Sequence, residues 1–387
     1  MAELAHFKNF AKLKDTSVEF NDITVLAGKP GTGKSYVMKF MYAVEDSLYQ
    51  DKNDYPPRTL KSTEELGDLF GKALLKMAEK FLSGEGQEQK QLKELASPEL
   101  YENIQSKLKD KNKVSSSKDI VLPIYDLKTY LNNVIKSIFR KHKEISEDYS
   151  IKFNQMLFEY KDNSFSLVNE NKNSSLGEAI FVETPLILEF KSFMNREKGK
   201  TPYHIESLLN ILDTDYSFTD EEQDEFIKSF TEKSQKIIGG DIESSGDSFI
   251  FNRKDDKTYD ILNASSGIKS IGLLQYLVTN KALKKGSVLF WEEPEVHLHP
   301  EWQLRMVELF IELMNAGVKI VFSTHSPYMC DYLNAISQKN NFDDRVSFNL
   351  FEETDGVVEN HILNDENWNK IQAELLDPLE EIMWEYI

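Results

Sequence analysis

The feature that most constrains the fold is a glycine-rich loop near the N-terminus, Gly28-Lys-Pro-Gly-Thr-Gly-Lys-Ser35, which matches the pattern G-x-x-x-x-G-K-[ST] in full. It follows an apolar run at Ile23–Leu26 and precedes helical spacing of apolar residues between Tyr36 and Leu48. The glycines let successive backbone N–H groups turn towards phosphate oxygens, and the start of the helix adds partial positive charge. The sequence therefore predicts a phosphate-binding P-loop within an α/β fold.

Individual positions of the P-loop have expected roles. Lys34 is expected to reach the β- and γ-phosphates as a point charge, and Ser35 to offer its hydroxyl to Mg²⁺. The predicted nucleotide-binding residues of the loop are Gly28, Lys29, Pro30, Gly31, Thr32, Gly33, Lys34 and Ser35. The loop alone does not distinguish kinases, GTPases, AAA+ machines and ABC-type ATPases, because all of them share it.

A second part of the site is predicted at the apolar run Val288–Trp291, which ends in Glu292 and Glu293. An acid at the tip of a strand beside the P-loop can complete the coordination of Mg²⁺, so we assign Glu292 to the metal. Glu293 is placed to orient and deprotonate the attacking water, which is general-base work worth about 10²–10⁴-fold in rate. Two solvated glutamates at the end of a strand are the alternative.

Three histidines, His297, His299 and His325, follow these acids. His325 follows the next apolar run, Val318–Phe322, within the string Ser-Thr-His-Ser-Pro. We interpret it as a hydrogen-bond donor to the γ-phosphate or to the attacking water. In that position it could distinguish bound ATP from bound ADP. Zinc binding by the three histidines is the alternative interpretation.

The string Ser265-Ser-Gly267 stands at the start of a predicted helix, Gly267–Val278. Serine and glycine at a helix N-terminus can bind an anion, and an ordinary N-cap explains the same residues equally well. The position of the string, just ahead of Glu292, makes Ser265 and Gly267 candidate nucleotide-binding residues.

The order of strand-like and helix-like segments predicts three parts of the chain. Residues 1–48 and 178–345 alternate short apolar runs, including Leu186–Leu188 and Ile237–Ile238, with amphipathic helices, which favours a largely parallel sheet. Residues 49–177 carry helical patterns at 62–81, 97–108 and 130–139 and are predicted to be a mainly helical insertion. Residues 346–387 are predicted to be an acidic C-terminal segment, either a solvated face or a docking surface.

Composition excludes several classes of protein. The chain carries 46 basic and 65 acidic residues, a net charge of −19, which argues against nonspecific duplex binding over its whole surface. The single cysteine, Cys330, excludes an internal disulfide framework and fits a reducing compartment. The N-terminal residues lack the pattern of a signal peptide and no apolar run has the length of a membrane span, so a cytoplasmic protein without a membrane partner is predicted.

Together these motifs resemble an ABC-type ATPase head of the SMC/RecF/OLD group. The resemblance covers roughly residues 1–48 and 178–335, and its motifs are Phe7-Lys-Asn-Phe10, the P-loop, Ser265–Gly267, Glu292–Pro300 and Thr324–Pro327. The run Glu-Pro-Glu-Val-His-Leu-His-Pro is similar to OLD-like ATPases of bacterial anti-phage defence systems, here without their Toprim nuclease domain. The resemblance implies a P-loop NTPase fold with ATP and Mg²⁺ as cofactors.

The resemblance also implies a mechanism. Glu293 would be catalytic, His325 would act as a switch, and Ser265 and Gly267 would contact the γ-phosphate of ATP held by a partner subunit. Two heads of a homodimer, or of a higher oligomer, would enclose ATP, and hydrolysis would release them and control a separate effector such as a nuclease or toxin; nucleic-acid binding stays open. Glu292 stands where most members have Asp, and Pro30 where the group's loop usually has Asn.

Two other functions are weighed against this switch. A nucleotide-binding scaffold with little hydrolysis could gate a partner nuclease or toxin, and the longer Glu292 side chain favours that alternative. An autonomous nuclease would need a second acidic metal site, and the sequence shows no convincing one.

Overall fold

A computed structural model describes residues 2–52, 127–139, 148–153, 156–161, 164–168, 178–196, 201–214, 216 and 221–376. The strands are β1 Glu3–Phe10, β2 Leu13–Phe20, β3 Ile23–Gly28, β4 Tyr149–Phe153, β5 Met156–Lys161, β6 Ser164–Val168, β7 Ala179–Val182, β8 Gly240–Ser245, β9 Ser248–Arg253, β10 Thr258–Asp260, β11 Val288–Glu292, β12 Lys319–Thr324, β13 Val346–Thr354 and β14 Val357–Leu363. The helices are α1 Lys34–Lys52, α2 Leu127–Phe139, α3 Ile187–Arg196, α4 Tyr203–Asp213, α5 Glu221–Ile238, α6 Ser266–Thr279, α7 Pro300–Asn315, α8 Pro327–Lys339 and α9 Asn369–Leu375.

The described residues form an eleven-stranded sheet in the order β6-β5-β4-β1-β2-β14-β13-β3-β12-β11-β7. From β13 to β7 neighbouring strands are parallel, whereas β6 to β2 pair antiparallel. The carboxyl ends of β3, β12, β11 and β7 therefore meet at one edge, which is where open α/β sheets bind ligands. The predicted α/β class is confirmed, whereas the predicted parallel arrangement holds for β13 to β7 and not for the antiparallel strands β6 to β2.

The parallel strands are buried on both faces, which explains why their sequences are continuous apolar runs. All six residues of β3 are buried, and its successive side chains enter two different cores. Val25 and Ala27 belong to a core that includes residues of α6 and α7, whereas Leu26 belongs to a core with Phe7 and Phe40. Packing on both faces of the sheet therefore fixes the C-terminal end of β3, where the P-loop begins.

A separate three-stranded sheet, in the order β10-β9-β8, packs on α6. Gly272 of α6 allows this contact, because a Cβ there would lie 2.1 Å from Cδ1 of Ile242 on β8. The buried amide of Gln275 continues it, since its Oε1 accepts from the Ile242 backbone N–H at 3.1 Å. The N-terminus of α6, with Ser265, is therefore fixed by packing along the rest of the helix.

Several segments differ from the prediction. The apolar run Leu186–Leu188, predicted as a strand, lies at the start of α3, and Ile237–Ile238 ends α5. The strands β4, β5 and β6 lie in the part of the chain that was predicted to be a helical insertion, and they extend the main sheet through β1. The sheet also continues past residue 345, where the prediction ended the head, because β13 pairs directly with β3.

Two of the predicted insertion helices, at 62–81 and 97–108, lie outside the described residues. The third, predicted at 130–139, is confirmed as α2, which packs on α1. In the part of the chain that the structure describes, no helix combines the length and the apolar character needed to cross a membrane.

Candidate functional site

The predicted phosphate loop joins β3 to α1 and has the backbone its glycines allow. Gly28 has φ +131, and a Cβ at this position would lie 2.2 Å from the carbonyl oxygen of Phe351 on β13. Gly31 and Gly33 also have positive φ, +80 and +89. These angles are open to glycine and strained for other residues, so the neighbouring strand and the loop turns together require this spacing of glycines.

Lys34, the first residue of α1, lies folded against its own loop. Its Nζ donates to the carbonyl oxygens of Gly28 at 2.8 Å and Lys29 at 2.7 Å, and more weakly to Oγ1 of Thr32 at 3.3 Å. Only 5 % of the residue is exposed, and this burial lowers its pKa from 10.5 to about 8. A phosphate oxygen would be a better acceptor than these carbonyls, because the hydrogen bond would join opposite charges.

Ser35 and Glu292, the predicted metal pair, are brought together. Glu292 ends β11, and its carboxylate accepts a hydrogen bond from the side chain of Ser35. Burial raises the pKa of Glu292 to about 7, and its Oε1 has no hydrogen-bond partner among the described residues. A hydroxyl and a buried carboxylate oxygen are the hard donors that Mg²⁺ prefers, so these residues fit that ion.

Glu293 and His325 form a direct pair. Nε2 of His325 lies 3.0 Å from Oε1 of Glu293, whose side chain is 44 % exposed. Burial lowers the pKa of His325, as does the nearby charge of Lys34. A neutral imidazole can donate to a carboxylate only through a protonated nitrogen, so Nε2 carries the proton. The ring thus orients Glu293, a contact that the interpretation of His325 as a donor to phosphate or water did not include.

Glu295 is a site residue that the sequence analysis missed. Its Oε1 accepts the backbone N–H of His325 at 2.7 Å, and burial raises its pKa. The carboxylate therefore fixes the backbone at His325, directly after β12, the strand that lies between β3 and β11. The available signal was its place two residues after Glu293 in the same acidic run.

The other two histidines have separate roles. Nδ1 of His299 accepts the backbone N–H of Glu301 at 3.3 Å and caps α7, while His297 lies exposed with φ +65. No group of three or more His, Cys, Asp or Glu side chains suited to a metal occurs in the described part of the chain. The alternative of a zinc site built from the three histidines has no support here.

Ser265 and Gly267 form the start of α6. The exposed Ser265 caps the helix by accepting the backbone N–H of Ile268 at 3.4 Å. Gly267 is buried, and a Cβ there would lie 3.3 Å from the ring of Trp302 and 3.4 Å from the carbonyl oxygen of His297. The loop therefore caps its own helix and contacts the segment after Glu293, while its predicted contact with a second copy stays a prediction.

Lys39 and Glu183 are charged residues beside Glu292 that the sequence analysis did not predict. Nζ of Lys39 on α1 lies 2.6 Å from Oε1 of Glu183, directly after β7, and 3.8 Å from Oε1 of Glu292. Oε2 of Glu183 lies 3.0 Å from Nε2 of the buried His204. The hydrogen bond with His204 and the charge of Lys39 together lower the pKa of Glu183 to about 2.

The C-terminal helix α9 reaches the P-loop as well. Nζ of Lys29 lies 3.1 Å from Oε2 of Glu374, whose side chain is only 13 % exposed. Anchors on the same helix are the buried Ile371 and, at its start, Trp368, whose ring meets that of Phe348 edge to face at 4.8 Å. This helix lies in the acidic C-terminal segment, which was predicted to be either a solvated face or a docking surface.

Comparisons with known proteins identify the family of this chain. A family model described as an AAA ATPase domain matches residues 6–330, more than half of the chain. A search of curated proteins gave no significant match. The predicted ATPase family is confirmed by the family match, whereas the OLD-like subgroup stays a prediction.

Similar solved structures include two SMC heads and one transporter cassette. The SMC head domain from Thermotoga maritima shares 11 % identity, with 94 % of this chain and 99 % of that chain covered and a TM-score of 0.43. An Smc head from Pyrococcus furiosus, bound to the C-terminal domain of ScpA, shares 13 %, with 99 % and 100 % covered and a TM-score of 0.43. An ATP-binding cassette of an ABC transporter in its ADP conformation shares 12 %, with 97 % and 96 % covered and a TM-score of 0.38.

Proposed function

The chain belongs to the AAA ATPase domain family, and from that premise we propose that it binds ATP with Mg²⁺ and hydrolyses it at the carboxyl edge of its parallel sheet. The observation that carries the proposal is the hydrogen bond of 3.0 Å between His325 and Glu293 at the edge that also holds Lys34. A carboxylate oriented by a neutral imidazole, beside a buried cation, is suited to general-base work on water near a phosphate.

Each residue has a part in this reaction. Backbone N–H groups of the loop Gly28–Ser35 bind the phosphates, and Lys34 exchanges its loop carbonyls for phosphate oxygens. Glu293 accepts a proton from the attacking water, while His325 keeps the carboxylate pointed at it. Ser35 and Glu292 would hold Mg²⁺, which, when bound, neutralises charge on the β- and γ-phosphates.

We further propose that hydrolysis operates a switch between two copies of the chain. Ser265, exposed at the start of α6, and Gly267 would contact the γ-phosphate bound by the other copy, since a helix N-terminus favours an anion. The acidic run that resembles OLD-like proteins supports control of a separate effector, a nuclease or toxin, in anti-phage defence. Membership of a higher oligomer and contact with nucleic acid are compatible with the same switch.

The variant Glu293→Gln tests the proposal. It removes the base without changing the size of the side chain, so we expect steady-state phosphate release to fall about 10²–10⁴-fold. ATP affinity should persist, and a dimer should accumulate under saturating ATP in light scattering coupled to gel filtration.

The matched control is Glu301→Gln, an exposed glutamate at the start of α7, which should hydrolyse ATP like the wild type. Unchanged hydrolysis by Glu293→Gln would refute the assignment of the base. A monomer at saturating ATP would refute the switch and leave the ATPase proposal standing.

A nucleotide-dependent scaffold with little hydrolysis is the second candidate function. The Glu292 side chain favours it, because it is one methylene longer than the Asp usual at this position and so changes where the carboxylate meets the metal. Steady-state phosphate release by the wild type, with and without DNA, separates the two functions. Slow release that no addition stimulates, together with tight ATP binding, is the outcome expected of the scaffold.

A further inference from the structure

The charges around Lys39 are arranged unequally. This lysine lies on α1 between two carboxylates, each at the carboxyl end of a neighbouring parallel strand, Glu183 after β7 and Glu292 at the end of β11. Its Nζ is 2.6 Å from Glu183 and 3.8 Å from Glu292, so it makes a hydrogen bond with the first carboxylate only.

The stronger bond has a structural cause, because Glu183 is held at both of its oxygens. Oε1 binds Lys39, and Oε2 lies 3.0 Å from Nε2 of His204 on α4. His204 holds this carboxylate independently of Lys39, so Oε1 of Glu183 attracts the ammonium group from a fixed position. Lys39 is mostly buried, with 18 % of its side chain exposed, and water screens this competition only partly.

The consequence appears at Glu292. Its Oε1 is buried and has no hydrogen-bond partner among the described residues, although Lys39 lies nearby. An ammonium group bonded to this oxygen would occupy the position at which a cation binds and would oppose a divalent ion by charge repulsion. The oxygen stays available because the ammonium is bound elsewhere.

We propose that Glu183 is a positioning residue that, together with His204, holds the ammonium group of Lys39 away from Glu292 and thereby keeps the Glu292 carboxylate open to a divalent cation. The inference rests on the proposed function, because the cation considered is the Mg²⁺ that accompanies ATP. It adds to that function a group of three residues outside the sequence motifs.

The test is a double-mutant cycle on metal binding rather than on activity. The binding of a fluorescent, non-hydrolysable ATP analogue to the full chain is titrated with Mg²⁺, and Mn²⁺ binding in the presence of the same analogue is measured by electron paramagnetic resonance. In Glu183→Gln the ammonium loses its charged partner and is free to bond to Glu292. We expect the Mg²⁺ concentration at half-saturation to rise about tenfold.

Removal of the lysine distinguishes a held cation from other roles of Glu183. The double variant Glu183→Gln/Lys39→Met should restore metal affinity to the wild-type value or better, because no ammonium group is left to compete. Lys39→Met alone should bind Mg²⁺ at least as tightly as the wild type. Thermal unfolding of each variant checks the fold, and Lys39→Gln replaces Lys39→Met if the latter does not fold.

The matched control is the pair Lys233 and Glu312, an ion pair between α5 and α7, changed to Met and Gln in the same cycle. It should leave metal affinity unchanged. Wild-type affinity in Glu183→Gln overturns the inference, as does a loss that persists in the double variant, which would mean that Glu183 acts on the metal directly. Wild type that binds no analogue at any Mg²⁺ concentration overturns the proposed function and the inference with it, so the two failures are distinguishable.

Discussion

The buried ammonium group of Lys34 makes the free energy of unfolding depend on pH. Its pKa is about 8 in the folded chain and 10.5 without the burial, so between these values the unfolded chain binds a proton that the folded chain has released. Stability rises with pH wherever the unfolded state binds more protons. The wild type should therefore gain about 3 kcal/mol relative to Lys34→Met between pH 8 and 10.5.

Urea unfolding at intervals across this range measures the difference. Below pH 8 the difference between wild type and Lys34→Met should be flat, because both states of the wild type hold the proton. Lys233→Met, an exposed lysine on α5, is the control. A flat difference up to pH 10.5 would mean that Lys34 is not held in a desolvated position.

Glu295 allows a second prediction at the scale of one residue. Glu295→Ala leaves the backbone N–H of His325 without its acceptor, which should cost about 1–3 kcal/mol of stability and slow phosphate release by displacing the ring from Glu293. Glu295→Gln keeps an oxygen acceptor, so its stability and its rate of phosphate release should both be close to those of the wild type. Equal behaviour of the two variants, measured by thermal unfolding and phosphate release, would contradict this role.

Motif spacing predicted the residues whose chemistry is fixed by short sequence patterns: the loop Gly28–Ser35, Glu292, Glu293 and His325. The structure places Lys34, Ser35 and these three residues at one edge of the sheet, whereas their roles remain proposals. Glu183 and Lys39 could not be found in this way. Their contact depends on β7 lying beside β11 and on α1 crossing both, which no local pattern records.

At the scale of elements, burial decided the cases that local patterns left open. The run Leu186–Leu188 suits a strand or a helix, since periodicity cannot separate them over three residues. The structure forms a helix here, and its Lys191 is buried with Nζ 2.9 Å from Asp213 at the end of α4 and 4.7 Å from the ring centroid of Phe249. These partners come from distant parts of the sequence.

The strand β13 was missed because acidic residues follow it in the sequence. Its first six residues, Val346–Phe351, are buried beside the P-loop strand, whereas its acids Glu352 and Glu353 stand at the end that turns into β14. Because residues 346–387 are acidic on average, the sequence did not predict that the segment begins with a buried strand. Net charge describes a surface and does not fix the course of the backbone under it.

The helix α9 gives a prediction at this scale, through its ion pair with the P-loop. Glu374 places a negative charge next to Lys29 and contributes to the field at Lys34, where phosphates are proposed to bind. Glu374→Gln should therefore raise ATP affinity about twofold to fivefold, the range expected of one partly exposed ion pair. Equilibrium titration with a fluorescent ATP analogue measures it, with Glu312→Gln as the control; unchanged or weaker binding would contradict the prediction.

At the scale of the whole molecule, the sheet order explains how distant segments share one site. The P-loop strand β3 lies next to β12, and β12 lies next to β11, so His325 follows the strand between Lys34 and Glu293. The start of α6 instead contacts the segment after Glu293, where Ser265 is exposed. This division agrees with a proposed site in which one copy supplies the phosphate loop and another supplies Ser265.

Mixing two defective variants of the chain tests whether the site is shared between two copies. Lys34→Ala removes the phosphate-binding cation of one chain, and Ser265→Arg fills the space before α6 in the other, so each variant alone should be inactive. A dimer of one chain of each kind contains one complete site, formed by Lys34 of the Ser265→Arg chain and Ser265 of the Lys34→Ala chain. Since random pairing makes half of the dimers mixed, and each has one complete site of two, phosphate release should recover to about a quarter of the wild-type rate.

The measurement is the rate of phosphate release as the two variants are combined at constant total chain concentration, and it should be highest at equal amounts. Ser265→Arg alone should still bind the ATP analogue, because its own phosphate loop is intact, while Lys34→Ala should not. A double variant carrying both changes on one chain, mixed with wild type, is the control and should contribute no complete site in a mixed dimer. No recovery in the mixture of single variants would contradict a shared site and would favour hydrolysis within one copy of the chain.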